Sequence, residues 1–105
     1  MAHTSELDTF NHHPVIDPKG KKVGTVVDLV SDRRTLEPQW LVVDPGVFRA
    51  AHYVPVEGAY HSSEGDVVIP FERQIVMQAP RASRDHIVTA EIEREIIDHY
   101  GIAVG

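Results

Sequence analysis

The chain has 105 residues, enough for one domain that buries roughly 60–70% of its unfolded surface. Its 42% hydrophobic and 25% charged residues match ordinary globular proteins and exclude the composition of a disordered chain. The absence of cysteine excludes disulfides and thiolate-held metals, and a formal charge of −6 opposes phosphate backbones and anionic membranes as partners.

The first residues, MAHTSELDTFNHH, have neither a basic flank nor an apolar stretch, and nowhere do about 18 apolar residues run together. No signal peptide and no membrane span are expected, which suits a cytoplasmic protein. Residues 1–12 read as a polar, flexible lead-in that orders only where Leu7 and Phe10 find a groove; the folded domain is expected over 13–105. Structure is expected from Pro14. Val15 and Ile16 make a short strand, and Asp17-Pro18-Lys19-Gly20 then places Asp, Pro and Gly at the turn positions that favour them.

Lys21 to Ser31 is a long β-branched strand, with Gly24 marking a bend or bulge. A charged connection, Asp32 to Glu37, leads to the strand Pro38 to Val43, which stops at Asp44-Pro45-Gly46. His52 to Val56 is a shorter strand that Pro55 confines to an edge or a bulge. Ala59 to His61 and Asp66 to Ile69 flank a hairpin loop, Ser62-Ser63-Glu64-Gly65. Phe71 to Gln78 suits one or two helical turns before Ala79-Pro80. The clearest helix follows at about 89–100, with Thr89 to cap it, Glu91 in its first turn and Gly101 just past its end. Ile92, Ile96, Ile97 and Tyr100 form one apolar stripe. The predicted fold class is therefore all-β with a C-terminal helix, a small antiparallel barrel of about six strands spanning Pro14 to Ile69.

Candidate chemistry is sparse. Seven histidines, including His12, His13, His52, His61, His86 and His99, invite a metal reading, but adjacent strand histidines point to opposite faces and no HExxH-type spacing occurs. Asp28 lies among Val26, Val27, Leu29 and Val30, where burial would raise its pKa toward proton-transfer chemistry. The reading adopted instead is an acceptor for backbone or Thr donors at a bulge near Gly24, because no second carboxylate pairs with it. No serine sits in a GxSxG elbow, and the glycines form no phosphate-binding loop. Lys19, Lys21 and Lys22 cluster only in a turn, and Trp40, Tyr53, Tyr60 and Phe71 read as core or interface rather than as a nucleic-acid groove. No catalytic, cofactor-binding or metal-binding residue is assigned, and no cofactor is expected.

Read in order, KGKKVGTVVDLVSDRRTLEPQWLVVDPG, HYVPVEGA, GDVVIPFERQIVMQAP and TAEIEREIIDHYG resemble the PRC-barrel family from about Pro14 to Gly101. The most specific pieces are VGTVVDLV, YVPV, and APR followed by a helix ending in Tyr-Gly, a layout similar to the free-standing bacterial members. The family includes the soluble domain of the photosynthetic reaction centre H subunit and the C-terminal domain of a ribosome maturation factor. The resemblance implies a small barrel serving as an adaptor or assembly surface, with no shared enzymatic activity and no active site. The H subunit's membrane helix and the maturation factor's N-terminal domain have no counterpart in the sequence, so neither of those roles is carried across.

The expected function is a non-enzymatic, protein-binding adaptor that self-associates, with an unknown second protein as the other partner and neither nucleic acid nor membrane. A small enzyme or metal sensor using Asp28 and histidines, and a ribosome- or RNA-associated assembly factor, are the alternatives. Self-association is expected because Val23, Thr25, Val27 and Leu29 on one alternation, and Gly24, Val26, Asp28 and Val30 on the other, leave both strand faces apolar. A barrel interior takes one face only, and an exposed apolar patch beyond about 400 Å² marks an interaction site, most often across a twofold axis. Val27, Leu29, Trp40 and Val42 are the candidate interface.

Overall fold

The computed structural model describes residues 10–32, 34–46 and 49–102. Its strands are β1 (Pro14–Ile16), β2 (Lys22–Ser31), β3 (Pro38–Asp44), β4 (His52–Pro55), β5 (Tyr60–His61) and β6 (Val67–Val68), followed by helices α1 (Arg73–Met77) and α2 (Ala90–Tyr100). They form one six-stranded sheet in the order β4-β3-β2-β1-β6-β5. The hairpins place β1 against β2, β2 against β3, β3 against β4 and β5 against β6, all antiparallel.

Two features correct the antiparallel barrel, which the sequence led us to expect closed or nearly closed. β6 returns beside β1 in the same direction, pairing Val15 with Val67 and Ile16 with Val68, so the sheet is mixed. Four strands intervene between these two, and no hairpin constrains their relative direction. The sheet is also open, because β4 and β5 at its two ends do not pair. The free edge of β4 is taken by residues 80–82 instead: Tyr53 N donates to the Pro80 carbonyl, Ala82 N donates to the Ala51 carbonyl, and His52 bridges to Arg81. Covering an edge with an irregular segment protects it as closure would.

β2 organises the sheet because it pairs on both sides. Its register slips beside Gly24 against β1, where Val15 pairs with Gly24 but Ile16 with Lys22, as the sequence led us to expect, and slips again between Val26 and Asp28 against β3, a second bulge at Val27. Gly24 has another role. A Cβ at this position would collide with the Asp44 carbonyl oxygen and lie 2.8 Å from its carbonyl carbon and 2.9 Å from Pro45 Cα. Only a residue without a side chain lets the end of β3 approach so closely.

The Asp17-Pro18-Lys19-Gly20 turn closes as expected, with Gly20 N bonded to the Asp17 carbonyl and Gly20 at φ 83°. The Asp17 side chain does more than a turn requires. Oδ1 accepts from Lys19 N at 2.9 Å and Lys21 N at 2.8 Å, and Oδ2 accepts from Arg73 N at 3.0 Å. One buried carboxylate thus fixes the β1–β2 turn and the start of α1.

β3 and β4 are buried on both faces. Trp40, Leu41, Val42 and Val43 are all core residues, as are Tyr53 and Val54. One face meets the sheet's own interior, while α1 packs on β2 and β4 and α2 packs on β4. α2 begins where Thr89 accepts from Ile92 N and ends at left-handed Gly101, as predicted. Ile96 and Tyr100 bury its stripe, with Ile92 and Ile97 partly buried, and Tyr100 OH donates 2.6 Å to the Tyr53 carbonyl. Burial also drives the Tyr100 phenol upward from its ordinary pKa. Phe10 is buried too, and residues 12 and 13 exchange backbone hydrogen bonds with Val26. Part of the expected lead-in therefore belongs to the packed body, while Leu7 lies outside the described residues.

Gly24→Ala is expected to destabilise the domain by roughly 1–3 kcal/mol or more in urea unfolding, because the atoms opposing the new methyl are backbone. Asp17 supplies a pH dependence. Burial pushes its carboxyl up, but the N–H donors of Arg73, Lys21 and Lys19 and the Lys21 charge outweigh it, leaving the pKa below its ordinary 3.8. Its contribution is therefore complete above that ordinary value and is lost as pH falls through the lower folded value. Asp17→Asn should cost roughly 1–3 kcal/mol at neutral pH, with wild type and variant converging in acid.

Candidate functional site

The carboxylate singled out in the long strand is not buried. The bulge at Val27 leaves the Asp28 side chain 46% exposed, where Oδ2 accepts from His86 Nδ1 at 2.9 Å and Oδ1 accepts from Leu29 N at 2.8 Å. The expected backbone acceptor role is present, with the donor supplied by the next residue at the second bulge, at Val27.

His86 reaches Asp28 from a tight loop over 83–87. Its backbone is left-handed, at φ 57°, in a turn closed by His86 N on the Ser83 carbonyl. Ser83 Oγ donates to Asp85 Oδ1 at 2.8 Å and accepts from Ile87 N at 3.2 Å. The Ser83 hydroxyl, helped by the Ile87 N–H and opposed by burial, holds the Asp85 carboxyl below its ordinary pKa. Tyr53 anchors the loop from the core: its hydroxyl donates to the Ile87 carbonyl at 3.2 Å and accepts from Ser83 N at 3.3 Å. Sequence reasoning missed this anchor. The local signal was Ser83-x-Asp85, a pattern able to satisfy its own backbone, but nothing along the chain links it to Tyr53.

Beside this loop, α2 and the start of β3 enclose a cleft of about 330 Å³, lined by Arg34, Gln39, Trp40, Glu93, Ile97 and Ile102 among others. An adjoining cleft of about 320 Å³ extends it toward Ser31 and Val88. Gln39 Nε2 donates across the space to Glu93 Oε2 at 3.4 Å. Asp28 and His86 line neither cleft.

The family model for the PRC-barrel domain matches residues 3–96. The chain belongs to the PRC-barrel family. No curated protein matches it. Among the described residues of this PRC-barrel domain, no helix is long and apolar enough to cross a membrane.

Four of its histidines hold backbone. His13 and His61 each direct Nδ1 at the Gly65 carbonyl, at 3.0 and 3.3 Å, with ring centroids 5.1 Å apart. His52 Nδ1 donates to the Ala79 carbonyl, and His99 Nε2 donates to the Ile75 carbonyl. No three His, Asp or Glu side chains converge as metal ligands among the described residues.

The four candidate interface residues do not share a surface. Trp40 and Val42 are 3% and 0% exposed, buried within the chain by the elements over β3, which corrects their assignment to an outer face. Leu29 is partly buried and packs against the core. Val27 is 38% exposed, pushed outward by the bulge. Ile87, which sequence reasoning did not select, is 49% exposed on the loop that carries His86.

Tyr53→Phe is expected to cost roughly 1–2 kcal/mol in urea unfolding, because Ser83 N and the Ile87 carbonyl lose a partner together. His86→Ala should cost less than about 1 kcal/mol, since the Asp28 pair is half exposed and screened.

Proposed function

We propose that this PRC-barrel domain is a non-enzymatic protein-binding adaptor, and that its first partner is a second copy of itself. The observation that carries the reading is the outer side of the β2 bulge, where Val27 and Ile87 stand exposed beside the Asp28–His86 pair. Leu29 and Val30 follow on β2 at partial exposure, on its two opposite faces. The surface presents a carboxylate and an imidazole together, so two copies related by a twofold axis bring opposite partners into reach of each other. The groups that could have served chemistry support the same reading. Asp28 is bonded to Leu29 N and His86, and Ser83 is bonded within its own loop.

Multi-angle light scattering at micromolar concentration tests the proposal. A mass near twice the 11.7 kDa of the chain is expected. Val27→Asp should return it to the monomer with the circular dichroism spectrum unchanged. Val27 is a better probe than Leu29, whose contact with the core would confuse dissociation with unfolding. A monomeric wild type at these concentrations sinks the self-association.

A further inference from the structure

A separate cleft of about 310 Å³ is lined by Pro45, Arg49, Ala50, His52, Met77 and Arg81. Three local features bring its polar groups together. His52 opens β4, Arg81 lies against it across the antiparallel bridge, and Arg49 N donates to the Gly46 carbonyl, which holds Arg49 near the end of β3.

The charge of this cleft runs against that of the chain. Acidic residues outnumber basic ones by 16 to 10, yet the lining holds two arginines and no carboxylate. The ion pairs among the described residues are Lys19 with Glu72 and Asp28 with His86, so no described carboxylate pairs with either guanidinium. Two cations facing one confined space repel each other, and an anion between them replaces that repulsion with two attractions.

His52 narrows the chemistry. It is 8% exposed, and its Nδ1 meets the Ala79 carbonyl at 2.9 Å. A carbonyl only accepts, so Nδ1 carries the hydrogen and Nε2 is the ring nitrogen left for a ligand. Guanidinium forks match the paired oxygens of a phosphate, and a ring nitrogen beside them can accept from a protonated phosphate oxygen or, once protonated, donate to an ionised one. Pro45 and Met77 add an apolar wall that suits a small organic carrier. A volume near the lower end of the roughly 300–1,000 Å³ usual for ligand pockets limits that carrier's size. The acidic surroundings disfavour a long polyanion.

From these observations we infer that the Arg49–His52–Arg81 cleft binds a phosphate group, either free or carried as a small monoester. The test is a nuclear magnetic resonance titration of the ¹⁵N-labelled chain with inorganic phosphate and with phenyl phosphate, each against sodium chloride of equal ionic strength. Saturable shifts centred on the amides of residues 49–52 and 81–82 are expected with the phosphates and not with chloride. Arg49→Gln and Arg81→Gln should each weaken binding about ten-fold while the rest of the spectrum superimposes on wild type. Tighter binding of phenyl phosphate identifies a monoester as the ligand, and equal binding identifies free phosphate. Shifts that grow without saturating, or saturable binding unchanged in both variants, overturn the assignment.

Discussion

The approach of Gly24 to the backbone of Asp44 and Pro45 is the constraint on which the sheet depends. β2 is the one long strand, and it must pair with β1 on one side while the end of β3 crowds it on the other. A side chain at 24 would push the Thr25–Asp44 pairing outward and carry the rest of β3 with it. From that fixed point the register continues to Val26, slips at Val27, and resumes from Asp28 to Val30. The same bulge that bends β2 aims Val27 and Asp28 outward. Backbone packing in the sheet therefore determines which residues the surface receives.

Polar side chains do the joining that a small apolar core leaves undone. Asp17 ties a turn to a helix start, Thr89 caps α2, and Tyr53 and Tyr100 place their hydroxyls on backbone carbonyls. Each of these groups satisfies backbone that would otherwise be unpaired in or near the core. This use of polar groups also accounts for the histidines. A ring nitrogen donating to a carbonyl ties one segment to another, as His13, His52 and His99 do in their contacts with Gly65, Ala79 and Ile75.

Local signals in the sequence located most elements. The Asp17 to Gly20 turn, the stop at Asp44-Pro45-Gly46 and the Thr89 to Gly101 caps depend on neighbouring residues, so they could be read along the chain. The parallel β1–β6 pair and the cover of residues 80–82 on β4 could not, since nothing in Val67 or Pro80 names a distant partner. Trp40 and Val42 were misplaced in the candidate interface for the same reason. The alternation of β2 and of Trp40 to Val43 leaves two apolar faces, but both faces of β3 from Trp40 to Val43 are buried within the chain itself. His86 and Ile87 were invisible as surface residues, because only the fold sets their loop beside the Val27 bulge.

Tyr53 connects the two halves of this arrangement. Its carbonyl receives the Tyr100 hydroxyl that docks α2, and its own hydroxyl holds the loop that presents His86 and Ile87. The ring between those two ends is buried and cannot adjust one contact without moving atoms in a filled core. Substitutions that loosen α2 and substitutions in the 83–87 loop therefore share a partner, and their energetic effects should not add as those of distant sites do. The exposed surface beside β2 is in this sense a property of the core. The loop's own hydrogen bonds close it, but the position at which it closes is set by a tyrosine from β4.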